Sequence, residues 1–233
     1  MTAPPAAPAW PWPGTGGWRV EGWAGVCAGV AARAADPARL IAAFPRRVLV
    51  AAAEQVHGAS VALVAGPIEL GPPIAGCDAL LTHCRDVALW IRTADCLPLF
   101  FADLARRAVG LAHAGWRGLA ACLPARMVAA FRHAYHTRPE ELRVAIGPAI
   151  RACCYEVGPE FGERFGPFVR RARGRLTCDL IGAAVAQLRA SGIRAEHVLD
   201  SERCTACEPQ RWFSLRREGP AAGRLVSGIL MPS

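Results

Sequence analysis

The stretch CLPLFFADLARRAVGLAHAGWRG, residues 96–118, contains two apolar runs with a short polar connection between them. Leu97 to Asp103 forms the first run and Arg107 to Leu111 the second, and both have the length and apolar content of buried strands. Two such runs separated by a few residues predict a β-hairpin. This hairpin sets the positions of the reactive side chains that flank it.

The predicted hairpin brings one thiol and one imidazole together. With the turn at Leu104-Ala105, Cys96 lies opposite His113, because the two positions are symmetric about that midpoint. Directly opposed residues have Cβ atoms about 4.5 to 5.5 Å apart, so both side chains can reach one metal ion at about 2.0 to 2.3 Å. We therefore predict that Cys96 and His113 share a metal ion.

A third candidate ligand is His57, in the phrase Gln55-Val56-His57-Gly58 on a connection between two predicted strands. Spacing alone does not place it beside the hairpin. Two imidazoles and one thiolate leave one coordination position open, which is typical of catalytic zinc. A lone Cys or His is more often a packing or hydrogen-bonding residue. The metal site is favoured because Asp95, Trp116 and Arg117 add further functional side chains to otherwise apolar segments.

Length and composition predict one compact α/β domain. The chain has 233 residues, of which 53% are hydrophobic, so it can bury a substantial core. Residues 1–17 are rich in Pro and Ala, and we expect them to form a flexible extension before a domain over residues 18–233. The composition does not fix the oligomeric state.

The charge indicates an anionic ligand. All 27 basic residues are Arg, and the net charge is +8, which suits phosphates, although a genome rich in Arg codons would give the same composition. The Arg residues are scattered and accompany no nucleic-acid-binding motif, so we expect no nucleic-acid partner. The sequence shows neither a secretory signal nor a transmembrane stretch, which predicts a cytoplasmic protein without a membrane partner.

Ten cysteines are present, and in a cytoplasmic protein they are expected to be mainly reduced. Cys204-Thr205-Ala206-Cys207 has the spacing of half a zinc knuckle, and Cys153-Cys154 are possible further ligands. Adjacent cysteines rarely bind the same ion, so free thiols are favoured over a second metal site at this stage.

Periodicity and turn residues predict the remaining elements. Pro124 either kinks the helix predicted after Gly118 or marks its true first turn. The predicted strands cover residues 48–53, 59–64, 78–82, 87–93, 143–146, 198–200 and 212–215, and the predicted helices cover residues 119–135, 159–170 and 179–190.

Several phrases, taken in order, resemble the YfiH-like family, also called the multicopper polyphenol oxidase or laccase-domain family and known in bacteria as peptidoglycan editing factors. The resemblance runs from Val48 to the C-terminus. It is carried by Gln55 to Gly58, Asp78 to Thr82, Thr93 to Pro98, Ala112 to Gly118, Ile146 to Gly158, Cys204-Thr205, and Phe213 to Arg224.

The resemblance implies a single-domain layered sandwich of mixed β-sheet and helices, of α+β type, similar to the catalytic domain of cytotoxic necrotizing factor. It implies zinc held by His57, Cys96 and His113. It also implies phosphorolysis of adenosine, inosine and S-methyl-5'-thioadenosine to base and ribose 1-phosphate, and deamination of adenosine to inosine. Zinc lowers the pKa of a bound water to about 7, which suits deamination at neutral pH.

Other residues have candidate roles in this chemistry. Guanidinium groups bind phosphate in bidentate fashion, so Arg117, Arg216 and Arg217 are candidates for the phosphate site, although Arg117 could equally be structural. The carboxylate of Asp95 could accept a proton or hold a ribose hydroxyl, and Gln55 could bond to a base or phosphate edge. Aromatic rings stack on purines, so the candidates for that role are Tyr155 and Trp116, whose alternative role is packing.

Two other functions follow from the names of this family. Copper-dependent polyphenol oxidation is less well supported, because a multicopper cluster needs many imidazoles and the chain has six His residues. The second function is the editing of peptidoglycan precursors, with the protein acting as a hydrolase or as a binding module. A basic pocket would also suit this function.

The sequence departs from the family near its N-terminus. Family members usually carry an Arg-x-Gly-Gly-Val-Ser phrase and a later Asn-Leu that line the pocket, and the segment from Trp18 to Pro45 does not reproduce them. We expect the metal site to persist and one wall of the substrate pocket to differ.

Overall fold

The computed structural model describes residues 17–33, 35, 48–66, 71–172 and 174–233. Of the predicted extension over residues 1–17, only Gly17 lies within these ranges. In the divergent segment from Trp18 to Pro45, residue 34 and residues 36–45 lie outside them. The described chain forms two mixed sheets, a small hairpin and a layer of helices. This is the predicted mixed α/β sandwich.

The first sheet has five strands in the order β1-β2-β13-β6-β3. The pair β3-β6 is parallel, and the other neighbouring strands are antiparallel. The strands are Trp18–Arg19 (β1), Cys27–Val30 (β2), Leu49–Ala52 (β3), Val87–Thr93 (β6) and Leu225–Leu230 (β13).

The second sheet has six strands in the order β12-β9-β7-β8-β5-β4, and it is the central layer of the molecule. Its two outermost pairs are parallel, and the pairs between them are antiparallel. The strands are Val61–Val64 (β4), Ala79–Thr82 (β5), Leu97–Asp103 (β7), Ala108–Ala114 (β8), Arg143–Ile146 (β9) and Val198–Asp200 (β12).

Helices cover the face of the second sheet that is turned away from the first. A separate antiparallel hairpin, Val169–Ala172 (β10) with Arg175–Cys178 (β11), lies in the sequence between two of these helices. None of the described helices is long and apolar enough to cross a membrane. The helices on this face are Trp116–Ala120 (α1), Leu123–Tyr135 (α2), Phe161–Phe165 (α3) and Leu180–Ala190 (α4). A further short helix, Leu215–Glu218 (α5), lies in the chain before β13 and contributes no residue to this core.

Strand β7 shows why the layers stack in this order. Every residue of β7 is buried, and successive side chains point to opposite faces of the sheet. Leu97, Leu99 and Phe101 belong to the core shared with α2 and α4. Phe100 and Ala102 belong to the core shared with the five-stranded sheet. A strand covered on both faces has a continuous apolar sequence, as this strand does.

The predicted hairpin is β7-β8, but its register differs from the prediction. Pro98, not Cys96, pairs with His113, and the turn contains the four residues 104–107 instead of Leu104-Ala105 alone. The prediction that Cys96 lies directly opposite His113 is therefore wrong. Two extra turn residues move the pairing by two positions, and a strand repeats every two residues, so both side chains stay on the predicted face.

Asp103 stabilises the longer turn. Its carboxylate accepts hydrogen bonds from the backbone N–H of Arg106, at 2.9 Å, and from the hydroxyl of Thr137, at 2.7 Å. Arg107 closes the turn with φ at 53°, in the left-handed region. A side chain that bonds to the backbone three residues later favours this conformation, which spacing alone did not reveal.

Two further predictions are wrong. The helix predicted over residues 159–170 ends at Phe165, because Gly166-Pro167 follows it and the chain then enters β10. Residues 212–215 are not a strand, since the Ser214 hydroxyl caps the start of α5 by accepting from the N–H of Arg217. The predicted helix over residues 119–135 is divided into α1 and α2, and Pro124 lies in the first turn of α2.

Gly110 allows α2 to pack closely on β8, because a Cβ at this position would lie 2.6 Å from Met127 Cε and 3.0 Å from a Phe131 ring carbon. We expect Gly110→Val to lower the free energy of unfolding by about 1 to 3 kcal/mol through overpacking. Urea denaturation measures this. Gly162→Ala is the matched control, because its Cβ would meet nothing within 4 Å, and equal stability of the two variants would contradict the packing described.

Candidate metal centre

The three predicted ligands meet where the chain crosses between the two sheets. His57 lies on the loop that leaves β3 of the first sheet for β4 of the second, and Cys96 ends the crossing from β6 to β7. His113 lies in β8, beside β7. The ligand atoms of these three side chains all lie within 4.8 Å of one another. Two separate crossings are thus needed to assemble the site.

The accessibility of the ligands is graded. The side chain of His113 is buried, Cys96 is half-buried and His57 is exposed. The two imidazole rings meet nearly at right angles, with an interplanar angle of 81° and centroids 4.8 Å apart. The centre is therefore fixed from below by the sheet and open towards solvent on the His57 side.

Asp78, at the start of β5, orients two of the three ligands. Its buried carboxylate oxygen Oδ1 lies 2.8 Å from Nδ1 of His113 and accepts the backbone N–H of His57 at 2.9 Å. Oδ2 accepts the N–H of Gly58 at 2.6 Å. A proton on Nδ1 shared with this carboxylate leaves Nε2 of His113 as the nitrogen available to a metal ion. Metal-binding histidines commonly have such a carboxylate partner.

Two glycines let the His57 loop approach the hairpin. A Cβ on Gly115 would lie 3.1 Å from the sulfur of Cys96 and 3.4 Å from Cδ2 of His57. A Cβ on Gly118 would lie 2.9 Å from the carbonyl oxygen of Gly58, too close to be accommodated. The glycines of the sequence HAGWRG are therefore needed for the close approach of the two loops.

Three residues at the site adopt left-handed backbone conformations, which are uncommon without glycine. Their φ angles are 68° at Gln55, 60° at His57 and 86° at Asp95. The amide of Gln55 accepts the backbone N–H of Arg92 at 2.8 Å and donates to its carbonyl at 2.6 Å. This bidentate contact holds the His57 loop against β6, so the strained conformations are maintained by surrounding contacts.

The electrostatics favour a thiolate. Burial opposes ionisation of Cys96, but hydrogen bonds and charge from His113 and His57 lower its pKa to about 7. Burial also opposes protonation of His113, yet Asp78 and Cys96 raise its pKa to about 9. The pKa of Asp78 is lowered, since contacts with His113 and backbone N–H groups outweigh burial. A thiolate available near neutral pH is what metal ligation requires.

A cavity of about 430 Å³ opens above the three ligands. Its lining includes the exposed guanidinium-bearing residues Arg92 and Arg224, the carboxylate of Glu54, and Leu215, whose side chain is 44% exposed. The cavity thus combines a metal-ligand set, two cations, one anion and an apolar contact. Its volume lies within the range of small-molecule sites in proteins, about 300 to 1,000 Å³.

Asp95 lies beside the ligand Cys96, but its carboxylate is already engaged. Oδ1 accepts the hydroxyl of Thr205 at 2.6 Å, and Oδ2 accepts the backbone N–H of Arg216 at 2.7 Å. Asp95 is buried and its backbone carbonyl accepts the N–H of Ile150. These contacts fix the segment that presents Cys96.

The predicted substrate-binding residues other than Gln55 do not line this cavity. Arg117 lies on α1, with its guanidinium 4.4 Å from the ring centre of Trp116. Arg216 lies 5.0 Å from the ring centre of Tyr155 and donates to the carbonyl of Glu156. Arg217 donates to backbone carbonyls, including that of Thr205. These side chains form contacts within the protein around the site.

Sequence reasoning missed Asp78, Arg92 and Arg224. Asp78 carried a usable signal, because a carboxylate directly before the apolar run of β5 must find partners when it is buried. Arg92 and Arg224 gave no comparable signal, since each is one of many Arg residues and β6 and β13 become neighbours only in the folded sheet.

Comparison with known proteins places this site in a family. A family model described as multi-copper polyphenol oxidoreductase laccase matches residues 31–232. The chain belongs to this laccase-domain family. The match includes every residue of the metal centre and its cavity, so the geometry above is that of a laccase-domain protein.

Curated members of the laccase-domain family include nucleoside enzymes. Purine nucleoside phosphorylase YlmD of Geobacillus stearothermophilus is 36% identical over 191 residues, which cover 76% of this chain and 70% of that protein. Adenosine deaminase RL5, from an unknown prokaryotic organism, is 34% identical over 165 residues, covering 67% of this chain and 63% of that protein. This chain is accordingly an enzyme of the laccase-domain family.

Solved structures of the family share the fold. The crystal structure of YlmD from Geobacillus stearothermophilus matches with a TM-score of 0.81 and 30% identity, covering 91% of this chain and 93% of that one. The hypothetical protein YfiH of Bacillus licheniformis matches with a TM-score of 0.84 and 25% identity, covering 94% and 97%. The expected laccase-domain sandwich is therefore confirmed.

The role of Asp78 in this centre can be tested by metal affinity. We expect Asp78→Asn to weaken metal binding at this site by about 10- to 100-fold, because the ring of His113 loses its carboxylate partner. Competition with a chromogenic chelator measures the affinity. Asp86→Asn is the control, since Asp86 lies away from the centre in the turn before β6. An unchanged affinity in Asp78→Asn would contradict the assignment.

Proposed function

We propose that this chain is a zinc-dependent purine nucleoside enzyme of the cytoplasm. It cleaves adenosine and inosine with phosphate to give the base and ribose 1-phosphate, and S-methyl-5'-thioadenosine to give adenine and 5-methylthioribose 1-phosphate. It also deaminates adenosine to inosine. The observation that carries the proposal is the three-ligand set of His57, Cys96 and His113 beneath a cavity that also presents two guanidinium groups. The names of the relatives support the same chemistry.

Zinc fits the donor set better than a copper cluster. Two imidazoles and one thiolate are ordinary zinc ligands and leave a position open. Among the described residues, the potential metal ligands form two clusters, this one and a group of four cysteines. The first has two histidines and the second has none, whereas a multicopper cluster needs many imidazoles. When bound, zinc supplies a Lewis acid that can activate water or polarise a substrate atom.

We assign the phosphate to Arg92 and Arg224. Both line the cavity, and guanidinium groups bind phosphate oxygens through paired N–H donors. The Gln55 amide holds the backbone of Arg92, so the loop that carries His57 is tied to the part of β6 from which this guanidinium extends. Arg117, Arg216 and Tyr155 remain predicted substrate contacts that would require side-chain movement.

The remaining side chains of the cavity have separate roles in this proposal. Glu54 is the carboxylate in the lining, and its Oε2 accepts the N–H of Gly76 at 2.6 Å, which leaves Oε1 to carry a proton during deamination. The exposed side chain of Leu215 offers an apolar contact for the purine ring or ribose. Asp95 acts as a positioning residue for Cys96, because both of its oxygens already accept hydrogen bonds.

The activity can be tested with purified protein, adenosine and phosphate. We expect adenine and inosine to form with zinc-loaded protein, to stop forming after chelation, and to form again after zinc is restored. The variants Cys96→Ala and His113→Ala should show no turnover, since each removes one of three ligands. Chromatography of the products measures this, and absence of both products with zinc-loaded wild-type protein would contradict the proposal.

The phosphate assignment predicts a split between the two reactions. In Arg92→Ala or Arg224→Ala we expect the KM for phosphate to rise by about 10- to 100-fold, through loss of a charged hydrogen bond worth about 1.5 to 3 kcal/mol. Deamination uses no phosphate, so its kcat should change little. Arg132→Ala is the matched control, because Arg132 is also exposed and lies on α2, outside the cavity. Equal loss of both activities would overturn the assignment.

A further inference from the structure

Four cysteines gather on two neighbouring loops beside the metal centre. Cys153 and Cys154 follow β9, and Cys204 and Cys207 follow β12. Strands β9 and β12 are parallel neighbours, so the loops that follow them begin at the same end of the two strands. The topology therefore brings together two cysteine pairs that are about fifty residues apart in the chain.

The sulfur positions fit a tetrahedral metal site. Cys153 Sγ lies 3.6 Å from that of Cys154, and 3.7 Å from those of Cys204 and Cys207. The sulfurs of Cys154 and Cys207 are 3.4 Å apart, and all four lie within 4.8 Å of one another. Four sulfurs around zinc at about 2.3 Å are separated by about 3.8 Å. A disulfide would require about 2.05 Å.

The loops are built as a ligand cradle. The guanidinium of Arg151 binds both carboxylate oxygens of Asp200, at 2.9 and 2.8 Å, which joins the two loops at their base. The spacing from Cys204 to Cys207 is that of a structural zinc turn.

We propose that Cys153, Cys154, Cys204 and Cys207 bind a structural zinc ion in addition to the metal of the His57 centre. The sequence argument favoured free thiols because adjacent cysteines rarely bind one ion, but here the sulfurs of Cys153 and Cys154 both lie within 3.7 Å of Cys207. Four protein ligands leave no open position, so this zinc has a structural role.

The zinc would brace the metal centre through Thr205, which lies between two of the ligands. The hydroxyl of Thr205 donates to Asp95, the residue before Cys96, at 2.6 Å. Arg217 donates to the carbonyls of Thr205 and Ala206, both at 2.9 Å, and so fixes the same turn against α5. Loss of the zinc should loosen this turn and the support that it gives to Cys96.

Metal stoichiometry tests the proposal without reference to activity. We expect two zinc ions per wild-type chain prepared under reducing conditions, and one in each of two variants, His57→Ala/His113→Ala and Cys154→Ser/Cys207→Ser. Cys122→Ser, which removes an exposed thiol on another part of the surface, should retain two. X-ray absorption of the histidine variant should show zinc with four sulfur ligands at about 2.3 Å. A cysteine variant that binds as much zinc per chain as the wild-type protein would overturn the proposal.

A second measurement on wild-type protein covers the case in which the cysteine variant does not fold. Cys153 and Cys207 are exposed, so as free thiols they react with iodoacetamide. We expect zinc-loaded protein to protect both from alkylation, and chelation to remove that protection, as mapped by mass spectrometry of peptides. Alkylation of both at the same rate with and without zinc would contradict the site. The result is independent of whether the protein acts on nucleosides.

Discussion

The buried carboxylate of Asp78 is the contact on which the candidate metal centre depends. A buried charge is costly unless it is paired and hydrogen-bonded, and this one has partners on both oxygens. Those partners are the imidazole of His113 and the backbone of the loop that carries His57. The hydrogen bonds that stabilise this buried carboxylate therefore also fix His113, in the hairpin, and the crossing loop that carries His57.

The sandwich gives this contact its setting. Strand β7 packs on helices with one face and on the five-stranded sheet with the other, so the chain must cross between layers at the ends of its strands. Two of those crossings, after β3 and after β6, bring His57 and Cys96 to the same edge. The core is rigid because it is closely packed, and it can hold the left-handed conformations of Gln55, His57 and Asp95.

Much of this arrangement could be predicted from the sequence where the signal was local. The apolar runs gave β6, β9 and β12 with their observed bounds, and the hairpin prediction placed Cys96 and His113 on one face. The register was wrong by two residues because Asp103 stabilises a longer turn. Strand β13 was missed, although all of its residues are buried, and Gly166-Pro167 ended a predicted helix early.

The parts of the site that escaped prediction depend on distant pairing. Arg92 and Arg224 share a cavity because β6 and β13 are neighbours, and the four cysteines meet because β9 and β12 are parallel. Neither relation follows from spacing along the chain. His57 was a candidate ligand from its own phrase, but only the family resemblance placed it beside the hairpin, since no local pattern ties the two together.

The most direct test of the metal centre is anomalous scattering at the zinc absorption edge from crystals of zinc-loaded protein. We predict a peak bonded to His57, to the sulfur of Cys96 and to Nε2 of His113, with Nδ1 of His113 still paired to Asp78. A zinc peak bonded to Nδ1 of His113, or no peak among these three side chains, would contradict the assignment.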